Sequence, residues 1–336
     1  MCTSFRIKSA DNAVIIGRTM EFGYDLQSKM VAYPRNFAFV SQTPPNSLAP
    51  FSWKGKYGVV APDSFGQQVA SDGMNEKGLY VGCLYLPGVA VYQTPGEGNN
   101  VSQLDLALWL LSSFETVEEV KQNIESATVW GMEYGALGVV PLHYAVHDAS
   151  GQSIVIEYTK DGLRVHDNPV GVLTNSPDFP WHMTNIANFV NLSATNVPEL
   201  NLQGAVLKPI GEGSGMLGLP GDFTPPSRFV RAVALTQSSL PSKSAEEEVK
   251  TAFHILGSFD IPLGLTREKH GDKIYYEYTQ WMTVSDLSNK IYYFKTYNSP
   301  GIEKIDLLSL NFNTQSKQTI DIYSAPWFTN VTATAK

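Results

Sequence analysis

The amino-acid sequence predicts an α+β protein, a layered sandwich in which antiparallel sheets are covered by helices. Short β-prone runs fill the first third of the chain, helical segments follow in small groups, and two aromatic β-prone runs come late. Strands and helices occur in groups and not as regular strand–helix–strand units, which is typical of layered α+β folds. No linker divides the 336 residues, so we expect one domain over residues 1–336.

The β-prone runs of the N-terminal third alternate with turn residues and predict a sheet that begins close to the first residue. Because one run starts directly after Cys2, we expect the N-terminus to be held in that sheet and not to fray. The runs cover residues 5–8, 13–17, 30–33, 37–40, 57–60 and 79–84.

Three helices are predicted from their starting signals. Ser102, Thr116 and Ser244 each stand three residues before an acidic residue and ahead of an apolar segment, which is the sequence pattern of an N-terminal capping box. Gly257 is the expected C-terminal stop of the helix that follows Ser244. A further helix is expected to begin near Ser227, after a proline-rich corner.

Two strand pairs are predicted in the second half of the chain. The runs LHYAVHD and QSIVIEY flank a turn-forming Asp-Ala-Ser-Gly segment and indicate a hairpin. The late aromatic runs KIYYEYTQWMTV and NKIYYFKTY predict the last two strands that the pattern indicates.

Composition excludes several classes of partner. Of the residues, 43% are hydrophobic and 17% charged, which is typical of a folded globular protein. The formal net charge of −8 and the scattered Lys and Arg residues argue against nucleic acid and anionic membranes as partners. No 18-residue apolar run is present, and residues 1–12 lack the pattern of a secretion signal, so we expect no membrane contact and a cytoplasmic location.

Neither a metal site nor a cofactor site is expected. The two cysteines, Cys2 and Cys83, cannot form a disulfide framework, and no paired CxxC spacing is present. His143 and His147 share one face of a predicted strand, but no third ligand accompanies them, so we expect structural roles. The glycine-rich residues 211–215 lack the lysine of a phosphate-binding loop and are interpreted as a shaped loop.

Cys2 is the candidate nucleophile because of its position. Removal of Met1 exposes a thiol and a free α-amine on the same residue, and an α-amine near neutral pH can accept the proton of its own side chain. Without further support, Cys2 is simply the second residue of a terminus. Cys83 lies in an apolar run and is expected to be a buried, unreactive thiol.

Charged residues at the end of the second predicted strand are candidate partners of Cys2. An adjacent antiparallel strand would bring Arg18 and Glu21 beside it, where the cation favours a thiolate and the carboxylate orients the α-amine. A surface ion pair is the alternative for both. Arg228, at the proline-defined corner, is either a carboxylate clamp or a first-turn surface residue.

Five separated motifs give the chain a specific resemblance. In order, MCTSFRI, GRTMEF, DGMNEKGL, LTNSPDFPWH and GLPGDFTPPSRFVR resemble the choloylglycine hydrolase family of N-terminal-nucleophile hydrolases, which includes penicillin V acylases and conjugated bile salt hydrolases. The resemblance covers almost the whole chain. The segment LHYAVHDASGQSIVIE and the glycine loops are most similar to the penicillin V acylase branch.

The resemblance implies a role for each matching residue. Cys2 would be nucleophile and, through its amine, base, with Arg18 beside its sulfur and Arg228 completing the polar site. The side-chain amide of Asn175 and the backbone N–H of Tyr85 would stabilise the oxyanion. The family also implies a four-layer αββα arrangement and, commonly, a homotetramer.

Two positions depart from the family pattern. Glu21 stands where the family usually has aspartate, so its longer side chain must retract or shift to reach the α-amine. Tyr85 occupies a position at which many bile salt hydrolases carry asparagine and penicillin acylases often carry tyrosine. Tyr85 therefore favours the penicillin branch.

The predicted function is hydrolysis of a linear non-peptide amide, with penicillin V acylase activity as the first choice. Conjugated bile salt hydrolysis and N-acyl homoserine lactone acylase activity are the alternatives, and an inactive ligand-binding relative is the alternative from a different class. The partner is thus a small-molecule amide. We expect its pocket to be lined by Met20, Phe22, Tyr24, Phe65 and Tyr85.

Overall fold

A computed structural model describes residues 1–46 and 48–332. The strands are β1 (Cys2–Lys8), β2 (Val14–Phe22), β3 (Met30–Tyr33), β4 (Ala38–Val40), β5 (Ser52–Lys54), β6 (Val59–Pro62), β7 (Met74–Asn75), β8 (Tyr80–Tyr85), β9 (Asn100–Ser102), β10 (Thr128–Trp130), β11 (Leu142–His147), β12 (Ser153–Thr159), β13 (Gly162–Asp167), β14 (Val172–Leu173), β15 (Leu200–Leu202), β16 (Ala205–Leu207), β17 (Thr266–His270), β18 (Lys273–Asp286), β19 (Ile291–Thr296), β20 (Glu303–Asp306) and β21 (Gln318–Ile320). The α-helices are α1 (Leu106–Ser113), α2 (Val117–Asn123), α3 (Phe179–Asn185), α4 (Pro225–Ser238) and α5 (Ala245–Gly257).

Two antiparallel sheets form the centre of the molecule. The first has the order β14-β1-β2-β18-β19-β20, with β17 also paired to β18, and the second has the order β13-β12-β11-β8-β7-β6-β3-β21. Buried side chains of both sheets share one apolar cluster with α4 and α5, while α1 and α2 pack against the second sheet in another. The predicted α+β fold with four stacked layers, αββα, is therefore confirmed.

The N-terminus is part of a sheet, as predicted. Strand β1 begins at Cys2 and pairs along its whole length with β2, whose far side pairs with the long strand β18. The run at 37–40 differs from expectation, because β4 and β5 form a separate two-stranded ribbon. Both predicted strand pairs are present, as β11 with β12 and as β18 with β19.

Two of the three capping predictions are confirmed. Thr116 accepts a hydrogen bond from the Glu119 N–H at 3.1 Å and starts α2. Ser244 accepts from the Glu247 N–H at 3.4 Å and starts α5.

The prediction that Ser102 caps α1 is wrong. Ser102 is the last residue of β9 and pairs with Trp130 in β10, and the helix begins four residues later, after Asp105. The Asp105 carboxylate, which the capping box would require, instead accepts from the hydroxyl of Ser41 at 2.8 Å. A tertiary contact has therefore replaced the local one.

No helix in the described part of the chain is long and apolar enough to cross a membrane.

Candidate active site

Cys2 opens strand β1 and is buried beside a guanidinium. Its side chain is 3% exposed, and Met20 of β2 lies directly opposite. Arg18 pairs with Ser4, so its side chain is a diagonal neighbour of Cys2 across the two strands. The distance from Arg18 Nη2 to Cys2 Sγ is 3.6 Å. The pairing of the first two strands thus places a positive charge beside the sulfur.

The Arg18 guanidinium is held on several sides. Nη2 donates to the carbonyl oxygen of Cys83, and Nη1 lies 3.9 Å from Asp72 Oδ2. The guanidinium also stacks over the ring of Trp281, with 5.0 Å between Cζ and the ring centroid. Burial acts to lower the pKa of Arg18, but the neighbouring Cys2 and Asp72 outweigh burial and raise it above its ordinary value. Arg18 is therefore a fixed cation.

Asp72 is a site residue that the sequence analysis did not identify. It is fully buried and accepts a hydrogen bond from Thr283 Oγ1 at 2.5 Å. Burial raises the pKa of its carboxyl group, while Arg18 and Thr283 oppose that shift. The motif DGMNEKGL contains Asp72, but its partners lie on the other sheet. Only the face-to-face packing of the sheets brings them together.

Replacing Asp72 with alanine is expected to destabilise the protein by about 3–5 kcal/mol, because it leaves Arg18 as a buried charge without its carboxylate. Urea denaturation of the purified variant measures the change in the free energy of unfolding. Asp161→Ala, in an exposed turn, is the control and should stay within about 0.5 kcal/mol of the parent protein. Equal losses in the two variants would refute the assignment of the ion pair.

Asn175 links Cys2 to Arg228. Its Oδ1 accepts from the Cys2 backbone N–H at 2.9 Å and from Arg228 Nη2 at 2.6 Å. Its Nδ2 donates to the Tyr85 carbonyl oxygen at 2.7 Å. A side-chain amide carries two N–H hydrogens, so one of them is left for a reacting group.

Arg228 lies in the first turn of α4 and is completely buried. The helix begins at Pro225, close to the predicted start. Nε donates to the Phe223 carbonyl oxygen at 2.9 Å, and Nη1 donates to the Cys2 carbonyl oxygen and to Thr3 Oγ1, the latter at 2.8 Å. Burial lowers the pKa of Arg228. The alternative of a surface arginine is therefore wrong for this position.

The backbone N–H of Tyr85 points to the same side as Asn175. Two residues earlier, the Cys83 N–H donates to the Ser71 carbonyl oxygen at 3.0 Å. Alternate residues of an antiparallel strand direct their N–H and C=O groups to the same edge, so the Tyr85 N–H faces that edge too. The Tyr85 C=O accepts from Asn175 Nδ2 there. The Tyr85 N–H and the Asn175 side-chain amide are thus both found at this edge of β8.

Glu21 is buried beside the N-terminus, but its carboxylate binds a hydroxyl group. Oε1 accepts from Thr279 Oγ1 at 2.9 Å. Burial raises the pKa of Glu21, against the opposing charges of the terminal amine and Arg228. With Met1 in place, the terminal amine donates to the Glu21 carbonyl oxygen at 2.7 Å and to Glu277 Oε2 at 3.2 Å. A second carboxylate, which the sequence analysis did not identify, therefore reaches the N-terminus.

A largely apolar cavity with about 750 Å³ of empty space opens beside Cys2. Of the predicted pocket residues, Met20, Phe22, Phe65 and Tyr85 line it. Among the described lining residues, Glu21 is the only one of the types Asp, Glu, Lys, Arg and His. Such a cavity fits the acyl part of an amide better than a charged group.

Tyr24 does not line the cavity, contrary to prediction. Its ring packs against Phe22, 5.8 Å between centroids, and against Tyr275 of β18, 4.9 Å between centroids. The Tyr24 ring thus packs against β18, and Tyr24 is not among the residues that line the cavity. Conversely, Tyr134 lines it and stacks on Phe65 with centroids 5.9 Å apart, a contact between distant loops that no local pattern indicates.

Cys83 is a buried thiol, as expected. Its Sγ donates to the Ala70 carbonyl oxygen at 3.2 Å, and burial raises its pKa to about 12. Although Cys83 also lines the cavity, its thiol stays protonated at neutral pH and is a poor nucleophile.

Two buried histidines support the segment that carries Asn175. His143 lies between Glu157 Oε1, 2.9 Å from Nδ1, and the Thr174 carbonyl oxygen, 3.2 Å from Nε2. His182 Nε2 lies 2.7 Å from the Asn175 carbonyl oxygen. Burial acts to raise the pKa of Glu157, but the hydrogen bonds that its carboxylate accepts from His143 and the Phe179 N–H, together with nearby His166, hold it at about 2. His143 therefore has the structural role that the sequence predicts.

His147 is also buried, and within the described ranges neither of its ring nitrogens has a hydrogen-bond partner. Burial lowers its pKa to about 3, so the ring is neutral. No group of three or more His, Cys, Asp or Glu residues among those described is arranged to hold a metal ion.

The chain is similar to proteins of one family. A family model described as linear amide C–N hydrolases, choloylglycine hydrolase family, matches residues 2–320. A bile salt hydrolase/transferase from Clostridium perfringens is 34% identical over 93% of this chain and 94% of its own length.

Two solved structures extend the similarity to the fold. A mutant conjugated bile acid hydrolase from Clostridium perfringens superposes with a TM-score of 0.87 at 31% identity, over 98% of this chain and 100% of the other. A penicillin V acylase from Agrobacterium tumefaciens superposes with a TM-score of 0.77 at 25% identity, over 96% and 94% of the two chains.

Proposed function

The chain belongs to the choloylglycine hydrolase family of linear amide C–N hydrolases, and from this premise we propose that it cleaves amides of bulky apolar acids, with conjugated bile salts as the first substrate class. The observation that carries the proposal is the apolar cavity lined by Cys2 and Tyr85, where the Asn175 side-chain amide bonds to the Tyr85 carbonyl oxygen. An inactive ligand-binding relative is not favoured, because Cys2, Arg18, Asn175 and Arg228 converge on one point.

Each step of the proposed reaction uses a group at this site. After Met1 is removed, the Cys2 α-amine accepts the thiol proton and the thiolate attacks the amide carbon. The Asn175 side-chain N–H and the Tyr85 backbone N–H stabilise the oxyanion that forms. The C–N bond then breaks as the α-ammonium returns the proton to the leaving nitrogen. Water, deprotonated by the α-amine, cleaves the thioester and releases the acid and the free thiol.

Glu21 has a supporting role in the proposal. Its carboxylate lies close enough to the terminal amine for the two charges to interact, and Thr279 holds one of its oxygens. Without Met1, the amine moves one residue along β1 to Cys2, whose nitrogen is already fixed by Asn175. Glu21 would then stabilise the ammonium form of that amine by charge.

The bile salt proposal replaces penicillin V as first choice. The relative at 34% identity and the structure at a TM-score of 0.87 act, by their names, on conjugated bile salts or bile acids, whereas the penicillin V acylase structure is more distant. Penicillin V remains the second candidate because of Tyr85, whose ring stands edge-on to Phe22 at 6.4 Å between centroids and would suit a phenoxy ring.

A substrate comparison tests the choice of acyl group. We expect glycocholate to be hydrolysed with a kcat/KM about tenfold or more above that of penicillin V, the discrimination that a few apolar contacts provide. Both leaving amines carry a carboxylate, so the two substrates do not differ in the charge of the leaving group. N-acyl homoserine lactones belong in the same panel. Faster cleavage of the amide of penicillin V or of an N-acyl homoserine lactone would make that compound the first substrate candidate in place of glycocholate.

Three further features are proposed. We propose that residues 1–336 form one domain, because the larger apolar cluster extends from Cys2 to Ile322.

We propose a homo-oligomer, a tetramer as the family resemblance implies, because the hairpin of β15 and β16 carries exposed apolar side chains that a second copy of this chain would cover. Two cysteines without a disulfide support a cytoplasmic location.

A further inference from the structure

Two buried glutamines lie behind the walls of the apolar cavity, Gln280 on β18 and Gln103 between β9 and α1. Their side chains are 3% and 0% exposed. Neither is among the described residues that line the cavity. A side-chain amide offers one acceptor oxygen and two N–H donors, and both glutamines direct these groups at the main chain of segments that do line the cavity.

Gln280 holds the segment that connects β2 and β3. Its Oε1 accepts from the Leu26 N–H at 3.0 Å, and its Nε2 donates to the carbonyl oxygens of Phe22 at 3.0 Å and Tyr24 at 2.6 Å. The Leu26 carbonyl oxygen in turn accepts from the Phe65 N–H at 2.7 Å. Phe22, Leu26 and Phe65 all line the cavity. One amide thus fixes a connecting segment that forms part of the cavity wall.

A β-bulge in β18 places Gln280 at this segment. Thr279 pairs with Glu21 and Trp281 pairs with Met20, so Gln280 is an extra residue between two pairs that are consecutive on β2. A bulge changes the direction of side chains relative to the regular alternation of a strand. The position of Gln280 therefore depends on this irregularity and not on strand periodicity.

Gln103 holds a second segment in the same way. Its Oε1 accepts from the Met132 N–H at 2.8 Å, and its Nε2 donates to the carbonyl oxygens of Met132 at 3.0 Å and Val140 at 3.4 Å. Both ends of the loop from Met132 to Val140 are thereby tied to one side chain. This loop contributes Tyr134, Leu137 and Val140 to the cavity.

The two anchored segments are connected across the cavity wall. Gln280 fixes Leu26, Leu26 bonds to the main chain of Phe65, and the Phe65 ring stacks on Tyr134 of the loop that Gln103 fixes. A displacement of either segment would therefore change the shape of the cavity.

We propose that Gln280 and Gln103 are positioning residues for the acyl group, and that by fixing the two segments they make the cavity select rigid, bulky acyl groups. This inference rests on the proposed function and deepens it. A preformed wall receives a rigid ring system without the entropic cost of ordering loops. A flexible chain can follow a displaced wall, whereas a fused ring system cannot.

Two N-acylglycines with the same leaving amine test the proposal. Glycocholate has a rigid steroid acyl group, and N-octanoylglycine has a flexible chain. Gln280→Met removes the amide with little change of volume, and we expect it to raise the KM for glycocholate about tenfold, the scale of a few apolar contacts. The kcat for glycocholate and the KM for N-octanoylglycine should each stay within about threefold of the parent values.

Gln103→Met tests the second segment independently and should have the same effect, so the proposal remains testable if one of the two variants does not fold. Binding of both compounds is also measured by calorimetry in the Cys2→Ala background. There, the Kd of glycocholate should rise about tenfold and that of N-octanoylglycine by about threefold or less. Slow turnover of either compound then cannot hide the effect.

Hydrogen exchange reports on the anchored segments without any substrate. The amide hydrogen of Leu26 should exchange about tenfold faster in Gln280→Met, and that of Met132 in Gln103→Met. Asn100→Leu is the matched control, because the Asn100 side chain makes three similar bonds to the main chain of Gly96 and Gly98, which do not line the cavity. It should keep the parent ratio of the two KM values.

The possible failures can be told apart. If the parent protein hydrolyses neither N-acylglycine, the proposed function is wrong and the role in acyl selection falls with it. If the parent is active but a glutamine variant weakens both compounds equally, or lowers only kcat, the function stands and the positioning role is wrong. The same loss of glycocholate preference in Asn100→Leu would mean that any weakened loop has this effect, and this also overturns the proposal.

Discussion

Replacement of Cys2 with alanine should reduce turnover of any amide substrate by about 10³-fold or more, the scale seen when an enzyme loses its nucleophile. Alanine keeps the second position small, so Met1 can still be removed, and the loss of one buried sulfur should lower the free energy of unfolding by only about 1 kcal/mol. Initial rates measure the first effect and urea denaturation the second.

Cys83→Ala is the matched control for Cys2→Ala. Both thiols are buried and both line the cavity, but Cys83 has a raised pKa, donates to a carbonyl oxygen and lies within a strand. Its variant should keep most of the turnover. Intact mass must show that Met1 is absent from each protein. If Cys83→Ala is the inactive variant and Cys2→Ala is active, the assignment of the nucleophile is wrong.

Replacement of Asn175 with alanine should lower kcat by about 10²–10³-fold, because it removes one of two proposed oxyanion donors. It also removes the acceptor of Arg228 Nη2 and of the Cys2 backbone N–H, so some misplacement of the nucleophile adds to the loss. Single-turnover rates of acylation at saturating substrate measure the effect on chemistry.

Two further variants separate donation from positioning. Asn175→Asp keeps an acceptor for Arg228 and Cys2 but has no N–H to donate, so it should be as inactive as Asn175→Ala. Asn168→Ala removes a buried asparagine that holds the turn before β14, so it should lower stability and leave kcat within about twofold. Substantial turnover by Asn175→Asp would rule out the proposed donation.

Local sequence was sufficient for much of the fold. Strand periodicity at β1, β11 and β12, and the N-caps at Thr116 and Ser244, depend on residues within a few positions of one another, and each is present. Ser102 is the exception. It is paired within a strand, and the Asp105 carboxylate that the capping box would use accepts a hydrogen bond from Ser41. A local capping preference is overridden where a tertiary contact uses the same side-chain group.

Substrate choice could not be read from one position. Tyr85 favoured the penicillin branch, yet it is one of several residues around a cavity assembled from β1, β2, β8, β11 and several loops. The volume and shape left between them depend on how these elements pack, as the unpredicted stacking of Tyr134 on Phe65 illustrates. The comparisons with relatives, which sample the whole chain, favour bile salts.

By itself, the sequence determined the layered fold class, the strand that holds the N-terminus and the candidate status of Cys2, Arg18, Asn175 and Arg228, because local pattern and motif carry that information. Only the tertiary structure placed Asp72 against Arg18 and Thr283, and Glu277 against an amine 276 residues away. Those contacts follow from the register of β18 on β2 and from the packing of two sheets. Neither of the two contacts, Asp72 with Arg18 and Glu277 with the terminal amine, produces a repeating pattern in the sequence, because each joins residues on elements that meet only after folding.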